Sequence, residues 1–216
     1  MDPLQEKQRH QMQVAAVFEK IDTTLDMADE ALADWERDDT AKRLPGLKNF
    51  VIHTRSVTNI LQTLRSKVDA FDEWYGPIQL EMREDALMRY FYALRSEILK
   101  TGDHYISWQI DPRPPMAVVK LNSLAVGPPP FPGAVWKLTS EGAAWVGSGE
   151  SGERRVQWTT VPESWGISRQ LFSDLPSARF PEVWKEKTIA EACGAHLEKV
   201  VDIVDRAYDQ FLPDAA

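Results

Sequence analysis

The sequence contains few of the residues that disulfide frameworks and metal clusters require. Its 216 residues include one cysteine, Cys193, and four histidines scattered along the chain. A single cysteine excludes an internal disulfide and a cysteine-cluster zinc site, and the histidines lack metal-ligand spacing. We therefore expect a protein of a reducing compartment that uses no metal or other cofactor.

Long hydrophobic runs and an excess of positive charge are also missing. The opening stretch MDPLQEKQRHQMQ is polar, and no apolar run reaches the roughly 18 residues of a membrane span. These features predict a cytoplasmic protein without membrane contact. The 25 Lys and Arg residues against 33 Asp and Glu residues give a formal charge of −8, which repels phosphate backbones on average. Any contact with RNA must therefore be local.

Strong catalytic motifs are absent as well: there is no Walker-type phosphate loop, nucleophile elbow or HExxH zinc motif. The stretch GSGESGE (147–153) matches GxGxxG in its letters, but it lies between two predicted strands and opens no helix. Because a dinucleotide motif needs a strand before it and a helix after it, we predict a hairpin loop here.

The sequence does contain apolar stripes with spacings of three and four, which predict four long amphipathic helices. The first covers 4–35, a stretch without Pro or Gly, and the second follows an interruption at Pro45-Gly46 and ends near 74–77. The third begins at Pro77, or at Asp85 if it starts later, and stops before Gly102.

The fourth predicted helix begins at Thr188, where Glu191 completes a capping box, and runs to the end of the chain. Between it and the third helix lies a segment of different composition, 103–187, with 10 of the 14 prolines and six of the eight tryptophans. Short strands at 134–139, 143–146 and 154–161 predict a β-meander there.

These elements predict a mainly α fold. Each helical stripe must be buried against another, so a four-helix antiparallel bundle with a small β-meander insertion between helices three and four is the economical arrangement. We expect one domain overall, in which 1–102 supplies helices one to three, 103–187 the insertion and 188–216 the final helix.

Candidate chemistry is confined to the end of the third helix, in LRSEILKTGDH (94–104). Of the other histidines, His10 lies in the polar start of the first helix and is expected to be solvated. His53 and His196 fall on apolar stripes, where a hydrogen-bonded core or boundary histidine is typical. His104 remains, preceded by Arg95, Ser96 and Lys100. The simpler interpretation of these charges is that they complement the helix dipole.

The helical plan, with LRSEILKTGDH on its third helix, resembles the HEPN superfamily of small helical proteins found in toxin-antitoxin and phage-defence systems. The resemblance covers 4–101 and 188–212. Active members of that family carry an arginine followed by a polar residue, with a histidine one to two helical turns downstream. Two such motifs meet across a homodimer and cleave RNA without a metal, so the resemblance implies a homodimer with RNA as its target.

Carried over to this chain, Arg95 matches the arginine and Ser96 the polar residue, but 100–102 holds no histidine. The resemblance implies either a degenerate, non-catalytic member, which we favour, or a metal-independent endoribonuclease that has recruited His104. In the second case His104 would act as general base on a ribose 2′-hydroxyl, and Arg95 with Lys100 would stabilise the charge on the phosphate.

The alternative is a non-enzymatic protein-interaction module that uses the aromatic insertion. Trp136, Trp145 and Trp158 are candidate anchors for a protein partner, because buried aromatic side chains dominate many interfaces. They would equally serve to pack the sheet onto the helices. Arg154 and Arg155, close to Trp158, are candidate contacts to nucleic acid by charge and stacking.

Overall fold

The computed structural model describes residues 3–37, 40–111, 128–139, 142–149, 152–159 and 167–212. These residues form two compact units: Met1–His104 with Asp174–Ala216, here the helical unit, and Tyr105–Ser173, here the β unit. The prediction of a mainly helical protein with a small antiparallel insertion is confirmed. None of the helices in the described residues has the length and apolarity to cross a membrane.

Five α-helices, not four, occur in the described part of the chain, and four of them precede the β unit. They are α1 (Pro3–Glu36), α2 (Thr40–Leu61), α3 (Phe71–Glu84), α4 (Ala86–Thr101) and α5 (Ile189–Phe211). Short 3₁₀ turns at Gln62–Ser66 and Glu182–Trp184 connect them to their neighbours. The expected four-helix bundle is therefore replaced by a five-helix arrangement.

The predicted second helix ends early because the chain forms a 3₁₀ turn after Leu61. In the 3₁₀ turn the Lys67 N–H donates to the Leu64 carbonyl at 2.8 Å, and α3 then begins at Phe71. Leu61, Leu64 and Phe71 are all fully buried in one hydrophobic cluster. The apolar stripe therefore continues across the bend, which is why its spacing in the sequence indicates one helix where the structure has two elements.

Of the two starts expected for the predicted third helix, Pro77 and Asp85, only the later one is observed. Pro77 lies inside α3 rather than at the first position of a helix. Asp85, the alternative start, is correct: its backbone is extended and its carboxylate accepts the Met88 N–H at 2.9 Å, which caps α4. Gly102 ends α4 with φ 79°, as its position predicted.

The predicted interruption at Pro45-Gly46 is wrong, because both residues lie within α2. A Cβ atom on Gly46 would lie 2.8 Å from the Ala31 carbonyl oxygen and 2.9 Å from the Trp35 nitrogen. At Gly46, α2 therefore lies so close to the backbone of α1 that no side chain fits between them. Packing of the two helices outweighs the hydrogen bond that proline removes.

The final helix begins as predicted and closes the helical unit. Thr188 and Glu191 form the capping box of α5. Further along, the Tyr208 hydroxyl donates to Asp22 of α1 at 2.6 Å, and its ring lies 4.2 Å from that of Phe18. The helical unit therefore brings its first and last helices into direct contact.

The segment between the β unit and α5 packs on α4. Leu175 and Phe180 are buried, and the Phe180 ring lies 4.7 Å from that of Tyr90. The Ser177 hydroxyl donates to the buried Glu97 carboxylate at 3.0 Å. These contacts hold residues 174–187 against α4.

The β unit contains the predicted meander and a second, two-stranded sheet. Strands β2 (Val135–Thr139), β3 (Gly142–Ser148) and β4 (Arg154–Thr159) pair in that order, antiparallel, which confirms the meander. The predicted strand residues 160–161 lie outside the described residues, as do 150–151 of GSGESGE. Around that gap Ser148 pairs with Arg154, so the glycine-rich stretch connects a hairpin as expected and opens no helix.

Two strands were not expected from the sequence. β1 (Ile106–Asp111) and β5 (Ile167–Phe172) pair antiparallel, with Ile106 opposite Phe172. The Ser173 N–H donates to the Tyr105 carbonyl at 2.8 Å, which extends the pairing to the unit's two ends. The β unit therefore leaves and rejoins the helical unit through adjacent residues.

Candidate functional site

The residues of the predicted site at the end of α4 have different surroundings. The Arg95 Nε is buried without a hydrogen-bond partner, and its side chain forms no ion pair with any described residue. Ser96 is exposed and donates to the carbonyl one turn earlier at 3.2 Å. Lys100 is also exposed, and five residues along a helix place it about 140° around the axis from Arg95. His104, half-buried, lies beyond the left-handed turn at Gly102.

The predicted aromatic site in the β unit is divided between the two faces of the meander. Trp136 and Trp145 are opposite each other and pack with Phe131; Trp145 is only 9% exposed. Arg155 lies on the same face, with its guanidinium 4.7 Å from the Phe131 ring centroid. Two of the three tryptophans therefore serve the small core of the β unit.

Trp158 differs from the other two tryptophans because it stands on the opposite face. It pairs with Ala144 and remains 37% exposed. Val135 and Val156 share this face, since both align with Val146 of β3, and both are exposed. Arg154, at the end of β4, is exposed as well. This face of the meander thus exposes three apolar side chains together with the charged Arg154 and Lys137.

A large concave site lies in the helical unit. It is a cavity of about 950 Å³ between α2, α3, α4, α5 and the segment that precedes α5. Cavities of several hundred cubic ångströms are typical of small-molecule and cofactor sites. Four arginines line it: Arg55, Arg83, Arg89 and Arg179. We refer to it as the arginine cavity.

No carboxylate among the described residues neutralises the four arginines. None of them forms a salt bridge with a carboxylate in the described part of the chain. The cavity's acidic lining residue, Glu182, is bound to Lys185 at 2.6 Å. A concentration of uncompensated arginines in a chain of charge −8 creates a local positive potential.

Arg55 is the arginine whose position is best defined. Its Nη1 donates to the Thr58 hydroxyl at 2.6 Å, and its guanidinium carbon lies 5.0 Å from the Tyr92 ring centroid. The Thr58 hydroxyl in turn donates to the Arg55 carbonyl at 2.9 Å. These contacts hold the guanidinium beside the cavity while leaving its remaining donors available.

Two buried polar side chains form the floor of the cavity. Tyr75 is 2% exposed, and its hydroxyl makes no hydrogen bond of good geometry, although the Gln62 amide lies close to it. His196 is 5% exposed, and its Nδ1 has no partner. The His196 ring stacks on Phe91 with centroids 4.1 Å apart and planes 3° from parallel.

Burial keeps both of these side chains uncharged. Burial lowers the pKa of His196 to about 3, against the opposing charge of Asp85 and with a smaller contribution from Lys199 in the same direction. Burial also raises the pKa of Tyr75, although Arg55 acts to lower it. Two neutral side chains are thus buried in the lining, and the positive charge is on exposed or half-buried arginines.

Sequence reasoning missed this site because its members come from five separate parts of the chain. The sequence placed His196 on an apolar stripe, and it is buried as that position suggests, but its Nδ1 lacks the expected hydrogen bond. One local signal was available: Arg55, Thr58 and Gln62 recur at helical spacing beside the apolar stripe of α2, and all three line the cavity.

Residues 39–110 match the family model described as bacteriophage lambda protein ea47. The similarity is to a phage family. It covers about a third of the chain, namely α2, α3, α4 and most of β1, and includes Arg55, Arg83 and Arg89. Arg179 and His196 lie outside it. No curated protein and no solved structure matches the chain.

Proposed function

We propose that this protein is a phage-related, HEPN-like component of a toxin-antitoxin or phage-defence system that binds single-stranded RNA without cleaving it. The observation that carries the proposal is the set of four arginines around one cavity, none of which forms a salt bridge with a described residue. Arginine matches phosphate geometry with several donors in a fixed plane, so such a set is suited to a phosphate backbone. The match to a phage family supports the biological setting.

The binding should depend on the arginines of the cavity and on salt. If all four contact phosphates, the logarithm of the affinity should fall with the logarithm of salt concentration with a slope of about −3. Fluorescence anisotropy with a labelled single-stranded RNA measures this slope. Arg89→Gln should weaken binding and make the slope less steep by about 0.7.

Arg37→Gln is the matched control for this experiment. Arg37 is an exposed arginine of the helical unit that pairs with Asp34 at 2.7 Å and does not line the cavity. Its substitution should leave the affinity unchanged. Equal effects of the two substitutions would count against the arginine cavity as the RNA site.

The absence of cleavage is proposed from the end of α4. Arg95 has a buried Nε, and the helix ends at Gly102 before His104 is reached. RNA incubated in EDTA with the wild type, Arg95→Ala or His104→Ala should remain intact in all three samples. Metal-independent cleavage that both substitutions abolish would show a catalytic member instead, and light scattering would test the homodimer expected of it.

A second candidate function uses the open face of the meander as a protein-interaction surface. Its support is the exposure of Val135, Val156 and Trp158 on one face of the β unit. Trp158→Ala should then abolish recovery of a specific partner, whereas Gln157→Ala, on the opposite face, should preserve it. Unchanged recovery with Trp158→Ala would exclude this tryptophan as the anchor.

A further inference from the structure

We infer that the arginine cavity binds a phosphate monoester, the group that ends a phosphorylated RNA strand, in preference to the phosphodiesters along the strand. This inference rests on the RNA binding proposed above and adds which phosphate the cavity selects. It follows from the number of arginines in one cavity, from the shape of that cavity and from the contacts of Arg55.

The arginines supply more positive charge than one phosphodiester balances. Four guanidinium groups line the same cavity, and no described carboxylate forms a salt bridge with any of them. A phosphodiester carries a single negative charge, whereas a phosphate monoester carries about −1.5 to −2 at pH 7 and offers three acceptor oxygens. The monoester therefore accepts hydrogen bonds from more of the guanidinium groups at one position.

The cavity leads from the exposed surface towards the core of the helical unit. Arg83, Arg89 and Arg179 are exposed, whereas Phe91 and Val200 of the same lining are 2% and 1% exposed. Such a lining is that of a pocket rather than of a groove along the surface. A nucleotide within a strand needs room for the chain on both sides, and a terminal nucleotide needs it on one side only. The end of a strand therefore fits this cavity better than its middle.

Arg55 is the arginine best placed to meet the terminal phosphate. It is half-buried, and its contacts with Thr58 and the Tyr92 ring hold its guanidinium in one position. Burial raises the pKa of Tyr75 and the charge of Arg55 acts to lower it, so the guanidinium lies within electrostatic reach of this buried residue. Its planar group presents further donors to a phosphate. The three exposed arginines then meet the phosphates that follow along the strand.

The test compares RNAs of one sequence by anisotropy competition: one with a 5′-phosphate, one with a 3′-phosphate and one with hydroxyl groups at both ends. The wild type should bind one of the two monoesters about tenfold more tightly than the hydroxyl-ended RNA. A methyl ester on the preferred phosphate removes its second charge and should abolish most of this preference. Equal binding of all these RNAs, or a methyl ester that binds as tightly as the monoester, would overturn the inference and leave RNA binding intact.

Substitutions locate the terminal phosphate in the cavity. Arg55→Gln should reduce the tenfold preference to about twofold, whereas Arg89→Gln should weaken the phosphorylated and hydroxyl-ended RNAs by a similar factor. Arg37→Gln, outside the cavity, should change neither affinity. If Arg55→Gln does not fold, Arg55→Lys takes its place, because an ammonium keeps the charge but cannot bind a phosphate with a planar pair of donors. A full preference in the Arg55 variant would overturn the inference.

Failure of the RNA proposal is distinguishable from failure of this inference. If no RNA binds, adenosine 5′-monophosphate and its methyl ester replace the RNAs, and isothermal titration calorimetry measures their binding. Arg55-dependent binding of the monophosphate that the methyl ester does not reproduce would support the same monoester site with a free nucleotide as its source. Equal binding of the two compounds, or no binding of either, would overturn it.

Discussion

Tyr75 and His196 show what burial does to a polar side chain when the protein supplies no partner. From the sequence, His196 is predicted as a core or boundary residue on the stripe of α5, whereas Tyr75 belongs only to the predicted end of the second helix. Periodicity predicts that a residue is buried. It does not predict whether its polar atom is paired, because the partner comes from a distant part of the chain.

The unpaired Tyr75 hydroxyl leads to a prediction for stability. Tyr75→Phe should raise the free energy of unfolding of the ligand-free protein by about 1 kcal/mol, because it removes a buried polar group without a good hydrogen bond. Urea unfolding followed by circular dichroism measures the change. A loss of stability would show that the hydroxyl is already satisfied in the absence of ligand.

His196 predicts a pH dependence of stability. Its folded pKa of about 3 lies below the unfolded value of about 6.5, so between these values the unfolded chain binds a proton that the folded chain does not. The contribution is fully present above the unfolded pKa and is lost as the pH falls towards 3. We expect a loss of about 1 kcal/mol per pH unit within this window.

Urea unfolding at pH 7 and pH 5 tests the His196 prediction, because about 1.5 pH units of this interval lie below the unfolded pKa. His196→Gln should reduce the difference between the two conditions, whereas His10→Gln, an exposed residue of α1, should not. The same pH dependence in the wild type and His196→Gln would assign the effect to other groups.

At the scale of the elements, the sequence predicts helix faces better than helix ends. The stripes of α1 and α5 and the meander were recognisable because one local period covers each element. The junction of α3 and α4 was ambiguous, because Pro77 and Asp85 are both acceptable helix starts in sequence. The contact from Lys199 of α5 to the Asp85 carboxylate at 2.6 Å is a long-range feature that local patterns do not contain.

Asp85 should stabilise the protein in two separate ways, as the cap of α4 and as the partner of Lys199. Asp85→Ala removes both the α4 cap and the partner of Lys199, and should lower the free energy of unfolding by about 1 to 2 kcal/mol. Asp85→Asn keeps a capping oxygen and loses only the charge pair, which is partly exposed, so its cost should stay below about 1 kcal/mol. Urea unfolding of both variants tests this, and equal losses would contradict a capping role.

For the whole molecule, the separation into two units predicts that the β unit can be removed while the helical unit still folds. Tyr105 and Ser173 are joined by a backbone hydrogen bond of 2.8 Å, so a short glycine-serine linker can connect His104 to Asp174. The shortened protein should keep its helical circular dichroism, unfold cooperatively and bind RNA with unchanged affinity. Loss of cooperative unfolding would show that the helical unit requires the β unit to fold.

The paired strands at the junction of the two units have a further consequence. A segment that enters and leaves through neighbouring residues can be gained, lost or exchanged in a single genetic event, without rethreading the helices. The similarity to the phage family stops at residue 110, inside β1. Because the arginine cavity is lined entirely by residues of the helical unit, exchange of the segment between Tyr105 and Ser173 would leave all four of its arginines in place.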